Sequence, residues 1–285
     1  MDTDAANFAG EWLALREPAD HVARSTSLAD EIAARLAGRD ELRIVDLGAG
    51  TGSMLRWLSP RLPSPQRWLL IDRDPALLER ARPVPAGGEA DPAVPAVETR
   101  RADLSELAGA CFEGADLVTA SAWFDLVSRP WIERLAVQLR RYRVAGLFAL
   151  TVDGRRWFED PDGRPIDEAD DRHATELFNR HQRRAKGLGE ALGPDAAELL
   201  PALLRSAGFE VRVERSDWQL AAGAPGTVEL GTALLEDWAR AAAEVPGSEA
   251  SRIGRWREHR TRALRQGRVG LGVGHVDVLA LPGDS

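Results

Sequence analysis

The residues able to do chemistry cluster first in the stretch Val45-Asp46-Leu47-Gly48-Ala49-Gly50-Thr51-Gly52-Ser53, between a short apolar run and the helical run Met54 to Leu58. A strand that breaks at glycines and re-enters a helix brings bare backbone close to a ligand and turns free N–H groups toward its polar atoms. Asp46 stands two residues before the first glycine. A dinucleotide fingerprint, G-x-G-x-x-G, would need glycine or alanine at position 53, and serine is there. Asp72 lies 22 residues past Gly50, a spacing that suits a carboxylate accepting bonds from both hydroxyls of a ribose. Asp103 and Ser121 complete a series of polar residues at the ends of candidate strands.

Those positions make sense if strands deliver them. Largely apolar runs over 42–47, 67–71, 116–120, 146–152, 209–213 and 272–281 read as strands, as does the more polar 97–101, and the stretch from 209 can reach on to Trp218 and Leu220. Helical patterns fall between them at 52–59, 75–81, 130–141, 170–184 and 195–206, with two more at 227–244 and 249–266. Asp74, directly before Pro75, stands in the N-cap place of its helix and leaves Asp72 for a ligand. Near-continuous apolar strands alternating with helices indicate an α/β fold, a doubly wound, mostly parallel sheet of seven strands with helical insertions. Ahead of it, residues 8–38 read as helix, broken at Pro18 and restarted at a cap on Ser27 or Asp30, with Gly38 as the stop. The Pro-rich stretch 82–96 reads as a loop.

Composition narrows the partners. A net charge of -8 and a pI near 5.3 argue against an extended nucleic-acid surface. One cysteine, Cys111, excludes an intrachain disulfide framework and fits a reducing compartment. No apolar run has membrane-spanning length, and Met1-Asp2-Thr3-Asp4 is acidic where a signal peptide is basic. The expectation is a soluble, cytoplasmic protein of one domain over 1–285, without a structural metal. Its oligomeric state is left open.

The glycine loop with its leading acid resembles motif I of the class I S-adenosylmethionine (SAM)-dependent methyltransferases. The resemblance covers roughly residues 40–152 and extends to 281 through the last strands. It implies a Rossmann-like methyltransferase fold with a helical cover at 1–40, a SAM-binding core at 40–152, an acceptor lid at 153–208, and the last two strands with an insertion near 227–266. It further implies that Gly48, Ala49, Gly50 and Gly52 lie against the methionine part of SAM and that Asp72 holds the ribose. Asp103 would face the adenine amine, Leu104 or Ala102 would supply backbone contacts, and Arg73 would lie over the adenine ring. Arg16 and Arg24, on either side of Pro18, match the arginine that such proteins place on a covering helix to fork the methionine carboxylate. Plain structural readings stand beside these: Asp46 or Asp103 as a cap, the arginines as a solvated helix face.

For the methyl acceptor the sequence says less. The segment after the fourth strand, Ser121-Ala122-Trp123-Phe124-Asp125, lacks the Asn/Asp-Pro-Pro-Tyr/Phe element of many amine and amide methyltransferases, and Cys111 is misplaced for a cytosine-C5 nucleophile. Both absences point away from nucleic-acid bases and toward a small-molecule acceptor, an oxygen or carboxylate and possibly acidic. In the run Asn179 to Gly189, His181 could orient or deprotonate it, with Asp125 as the other candidate base, and Arg183, Arg184 or Lys186 could hold an acidic one. Trp12, Trp123 and Trp157 could wall the pocket, while His275 and Asp277, alternating on the last strand, read as structural. Two other functions share the pattern: a SAM-binding regulator without activity, and an NAD(P)-linked oxidoreductase.

Overall fold

The computed structural model describes residues 3–82, 94–105, 109–184 and 189–283, with side chains described from residue 10 onward. Most of the Pro-rich loop, Leu107 and Lys186 lie outside the described residues. Two helices open the chain, α1 (Thr3–Ala23) and α2 (Thr26–Arg35), followed by β1 (Leu42–Leu47), α3 (Ser53–Leu58), β2 (Gln66–Asp72), α4 (Pro75–Ala81), β3 (Ala96–Arg101) and β4 (Leu117–Ser121). Then come α5 (Arg129–Tyr142), β5 (Ala145–Glu159), β6 (Pro165–Ile166), α6 (Ala169–Gln182), α7 (Ala196–Ser206), β7 (Phe209–Arg215), β8 (Trp218–Leu220), α8 (Thr227–Ala243), α9 (Ala250–Arg265) and β9 (Gly270–Pro282).

The sheet runs β3-β2-β1-β4-β5-β9-β7, with β6 pairing to β5 and β8 to β9. The pairs among β1 to β5 on this path are parallel, whereas β9 is antiparallel to both β5 and β7. Strand order reverses between β1 and β4, so their carboxyl ends flank the crevice where open α/β sheets take ligands. The antiparallel β9 slipped between β5 and β7 departs from the all-parallel 3-2-1-4-5-6 order of dinucleotide-binding sheets. Seven strands form the main path, and the two short segments are the departure from the expected count.

Both faces of the sheet are covered. On one, Leu28 and Ile32 of α2 and Trp57 and Leu58 of α3 pack on Ile44 and Trp68. On the other, Trp131, Ile132, Leu135 and Leu139 bury the inward stripe of α5 against Val118 and Phe148, with Leu200 and Leu204 of α7 beside them. Pro130 opens α5 at its first turn, where a missing N–H costs nothing.

Two elements differ from the sequence reading. Helix α1 passes through Pro18 and ends at Ala23. An interior proline costs a helix about 3 kcal/mol. Contacts that span it within the helix, Arg16 to Asp20 at 3.0 Å and Glu17 to His21 at 3.3 Å, hold the helix together. The break falls instead at Ser25, whose extended backbone and hydroxyl cap the N–H of Leu28, so neither Ser27 nor Asp30 is the cap. Strand β5 runs seven residues beyond the expected Val152, past register shifts at Phe148/Thr151 and Val152/Arg156. The polar residues after Val152 hid it, because the strand bends there and Leu150 takes a positive φ of 56°. The 227–266 excursion forms α8 and α9, which pack with α6 against Phe158, Leu271 and Val273 on the extended ends of β5 and β9.

Candidate functional site

A cavity of about 190 Å³ lies between α1 and the ends of β1, β2 and β4. Its floor is the glycine loop. Gly48 and Gly50 hold positive φ of 66° and 53°, and a Cβ on them would press on Trp123 and Leu13, each at 3.1 Å. Backbone is therefore the only lining those positions can offer.

Asp46 is 1 % exposed and bordered by the cavity. Its Oδ1 accepts the hydroxyl of Thr119 from the neighbouring strand at 2.7 Å, but Oδ2 is buried without a partner. Burial is the main cause that raises its pKa to about 7, with the Thr119 bond and Arg24 pulling the other way. Asp72 also lines the cavity, yet it is not free as the capping argument implied. Oδ2 accepts the N–H of Gly50 and Oδ1 that of Asp74, both at 2.9 Å, while Asp74 caps α4 through the Ala76 N–H. Each oxygen of Asp72 keeps a second lone-pair direction for a ligand hydroxyl.

Two arginines enter from above. Arg24, 3 % exposed, donates to the Ser53 carbonyl at 3.2 Å and to the hydroxyls of Ser53 and Ser121 at 3.2 and 3.0 Å. Its Nε has no partner, and among the described residues no carboxylate stands at ion-pair distance from it. Desolvation lowers its pKa, against the pull of Asp20 and Asp277. Arg16 forks Asp20 and lies 4.9 Å over the Trp218 ring. A buried cation satisfied only by neutral oxygens, facing a buried carboxylate with an orphaned oxygen, suits a ligand carrying both an anionic and a cationic group.

The cavity thus gathers Arg16, Arg24, Asp46, Gly48, Ala49, Gly50, Asp72 and Ser121. It does not gather the others. Gly52 sits at the start of α3 outside the lining. Arg73 and Asp103 are exposed, and Asp103 accepts the Ser105 N–H at 2.8 Å, the bond that most lowers its pKa. The Leu104 carbonyl accepts from Trp131 Nε1 at 2.6 Å. Asp125 is nearly buried two residues beyond Trp123, in the turn after β4. His181 lies at the end of α6 with Nε2 on Glu244 at 2.9 Å, outside the lining, and Arg183 and Arg184 reach Asp195 and the Glu244 carbonyl. Of the three tryptophans, Trp123 lines the cavity, Trp12 packs on the core, and Trp157 lies on Gly272 of β9. Asp20, Thr51, Ser53, Met54 and Leu77 line it too and were not anticipated. Asp20 had a signal in its four-residue spacing from Arg16, which faces both along one side of a helix.

Residues 44–145 match the family model described as a methyltransferase domain. That match runs from β1 to the first residue of β5, the part of the sheet that carries the glycine loop, and is a match to a methyltransferase domain over that segment. No curated protein matches it. Among solved structures it is similar to the YcgJ protein of Bacillus subtilis (13 % identity, 92 % of this chain and 100 % of that one, TM-score 0.49). It is also similar to a putative sarcosine dimethylglycine methyltransferase from Galdieria sulphuraria (17 %, 98 % and 98 %, 0.45) and the cyclopropane synthase MmaA2 of Mycobacterium tuberculosis (12 %, 88 % and 82 %, 0.44). Among the described residues no helix is long and apolar enough to cross a membrane, and no group of three or more His, Cys, Asp or Glu is arranged to hold a metal ion.

Proposed function

We propose that the cavity holds SAM with its amino-acid end between Arg24 and Asp46, and that the methyl passes to a small-molecule acceptor through oxygen, most simply a carboxylate. The observation that carries this is the pair of buried, opposite, incompletely partnered charges beside the glycine loop. Arg24 takes the α-carboxylate, Asp46 Oδ2 the α-ammonium, and Asp72 the ribose hydroxyls. When bound, SAM supplies a sulfonium methyl that needs no further activation. The protein's task is alignment, holding the acceptor about 3–3.5 Å from that methyl and in line with the sulfur. Among the described residues of the lining the cations are Arg16 and Arg24, and with Arg24 given to SAM, Arg16 is the one available to an ionised acceptor.

The acceptor's atom can be read from two variants. If it is a hydroxyl, Asp125→Asn should lower kcat by about 10²–10⁴ with SAM affinity unchanged, because a base is then required. If it is a carboxylate, Asp125→Asn and His181→Ala should both turn over like the parent. Labelled-methyl transfer across small carboxylic acids, alcohols and amines supplies the substrate for that comparison. Transfer to amines alone would refute the oxygen assignment.

Asp46 makes the cofactor's affinity depend on pH. The fold holds the neutral acid better than the carboxylate, so the Asp46 contribution to stability is full at low pH and is lost as pH rises from the ordinary carboxylate range through about 7. A bound ammonium favours the carboxylate instead. Below pH 7, SAM binding should therefore release one proton and weaken by about tenfold per pH unit, levelling above 7. Calorimetry in buffers of different ionisation enthalpy measures that proton, and Asp46→Asn should abolish the dependence. Equal SAM affinity at pH 5.5 and 8 in the parent would contradict the assignment.

A further inference from the structure

Asp277 sits on β9, outside the lining of the cofactor cavity and 1 % exposed, and its charge is one of those that act on Arg24. Its two oxygens are committed to two separate pieces of backbone. Oδ2 accepts the N–H of Ser25 at 2.8 Å, and Oδ1 accepts the N–H of Leu150 at 2.7 Å. Ser25 is the residue after Arg24 and the N-cap of α2, so its N–H lies at the joint from which the Arg24 side chain enters the cavity. The joint is fastened a second time to the same edge of the sheet, because the Ser25 and Ser27 hydroxyls bond Glu214, which pairs with Asp277 across β7 and β9.

Leu150 is the positive-φ residue of the β5 bend, and the carbonyl before it, of Ala149, accepts the N–H of Ala122 at 2.9 Å. Ala122 itself holds a positive φ of 53° and lies between Ser121, which bonds Arg24, and Trp123, which covers Gly48. One carboxylate therefore holds the Arg24 joint directly, and reaches the Ser121–Trp123 turn one step away, through the Leu150 amide and the Ala149 carbonyl beside it. A carboxylate suits this because it is acceptor-only and offers lone pairs in two directions. Asparagine would turn one N–H acceptor into a donor facing a donor.

We propose that Asp277 is a positioning residue for SAM binding, setting Arg24 against Ser121 by holding the Ser25 and Leu150 amides together. This rests on Arg24 being a SAM ligand. It goes beyond that assignment by placing control of it on the last strand.

The test is a double-mutant cycle on the full chain, read as S-adenosylhomocysteine affinity by calorimetry. Asp277→Asn is expected to weaken binding by about tenfold or more in the parent and to change it less than twofold in an Arg24→Ala background. A merely structural role would give the same loss in both backgrounds, and that result, or parental affinity in the single variant, overturns the proposal. Parental affinity in Arg24→Ala alone would instead remove the Arg24 assignment. Should Asp277→Asn fail to fold, amide exchange on the parent decides. Saturating S-adenosylhomocysteine should slow exchange at Ser25 and Leu150 by a common factor, and slowing at only one of the two would overturn the coupling.

Discussion

Asp171→Ala is expected to destabilise the protein by about 3–5 kcal/mol, the range for stripping the partner from a buried charge. At roughly 2–4 °C per kcal/mol for a chain of this size, its melting temperature should fall by about 10 °C. Asp171 lies in the first turn of α6 and is almost fully buried. It accepts from Arg260 Nε and Trp256 Nε1 of α9, both at 2.8 Å, and closes the capping box of its own helix by accepting the Glu168 N–H. Arg260, 1 % exposed, stacks 4.6 Å from the Phe158 ring on the extended end of β5. Without Asp171 its guanidinium keeps, among the described residues, the carboxylate of Glu168, whose side chain is 47 % exposed. The pair thus locks α6 and α9 onto the strand extension. Thermal unfolding followed by circular dichroism checks it, and a parental melting temperature would show that the ion pair is not what holds the layer.

Arg24→Ala should leave the fold standing and remove most of the affinity for SAM. Truncating one side of a buried, charge-assisted contact costs about 2–5 kcal/mol, so the dissociation constant should rise by at least about thirtyfold. Arg16→Ala should cost less, because Arg16 already forks Asp20 and the loss is shared with that internal pair. Calorimetric titration of both variants gives the comparison. Equal losses would mean that the carboxylate is not held mainly by Arg24.

The parts of the fold that could be read from sequence are those where one physical signal dominates. Strands β1, β2 and β4 and the first half of β5 are mostly apolar runs, so their presence and buried character were legible along with the glycine loop between β1 and α3. Asp74 and Pro75 marked the start of α4 in the same direct way. The misses arise where tertiary contacts outweigh local rules. Pro18 stays inside α1 because side-chain ties span it, and β5 continues through charged residues because Gly272 and Gly274 of β9 leave room for Trp157 and for Asp153 with Arg155 to lie across the strand.

At the site, residue type was legible and partnership was not. Nothing in the sequence distinguishes Asp46, with one oxygen unbonded, from Asp72, with both oxygens committed. Nor does it tell that Arg24 would meet two serines while Arg16 meets an aspartate. Asp277 carries no local signal for its role, since its two partners lie 252 and 127 residues away.

The most direct test of the whole account is calorimetric titration of the purified chain with SAM, S-adenosylhomocysteine and NADH at pH 7.5. Saturable one-to-one binding of SAM and its demethylated product, both weakened by Arg24→Ala, with no binding of NADH, is the expected result. Tight binding of NADH with none of SAM would contradict it.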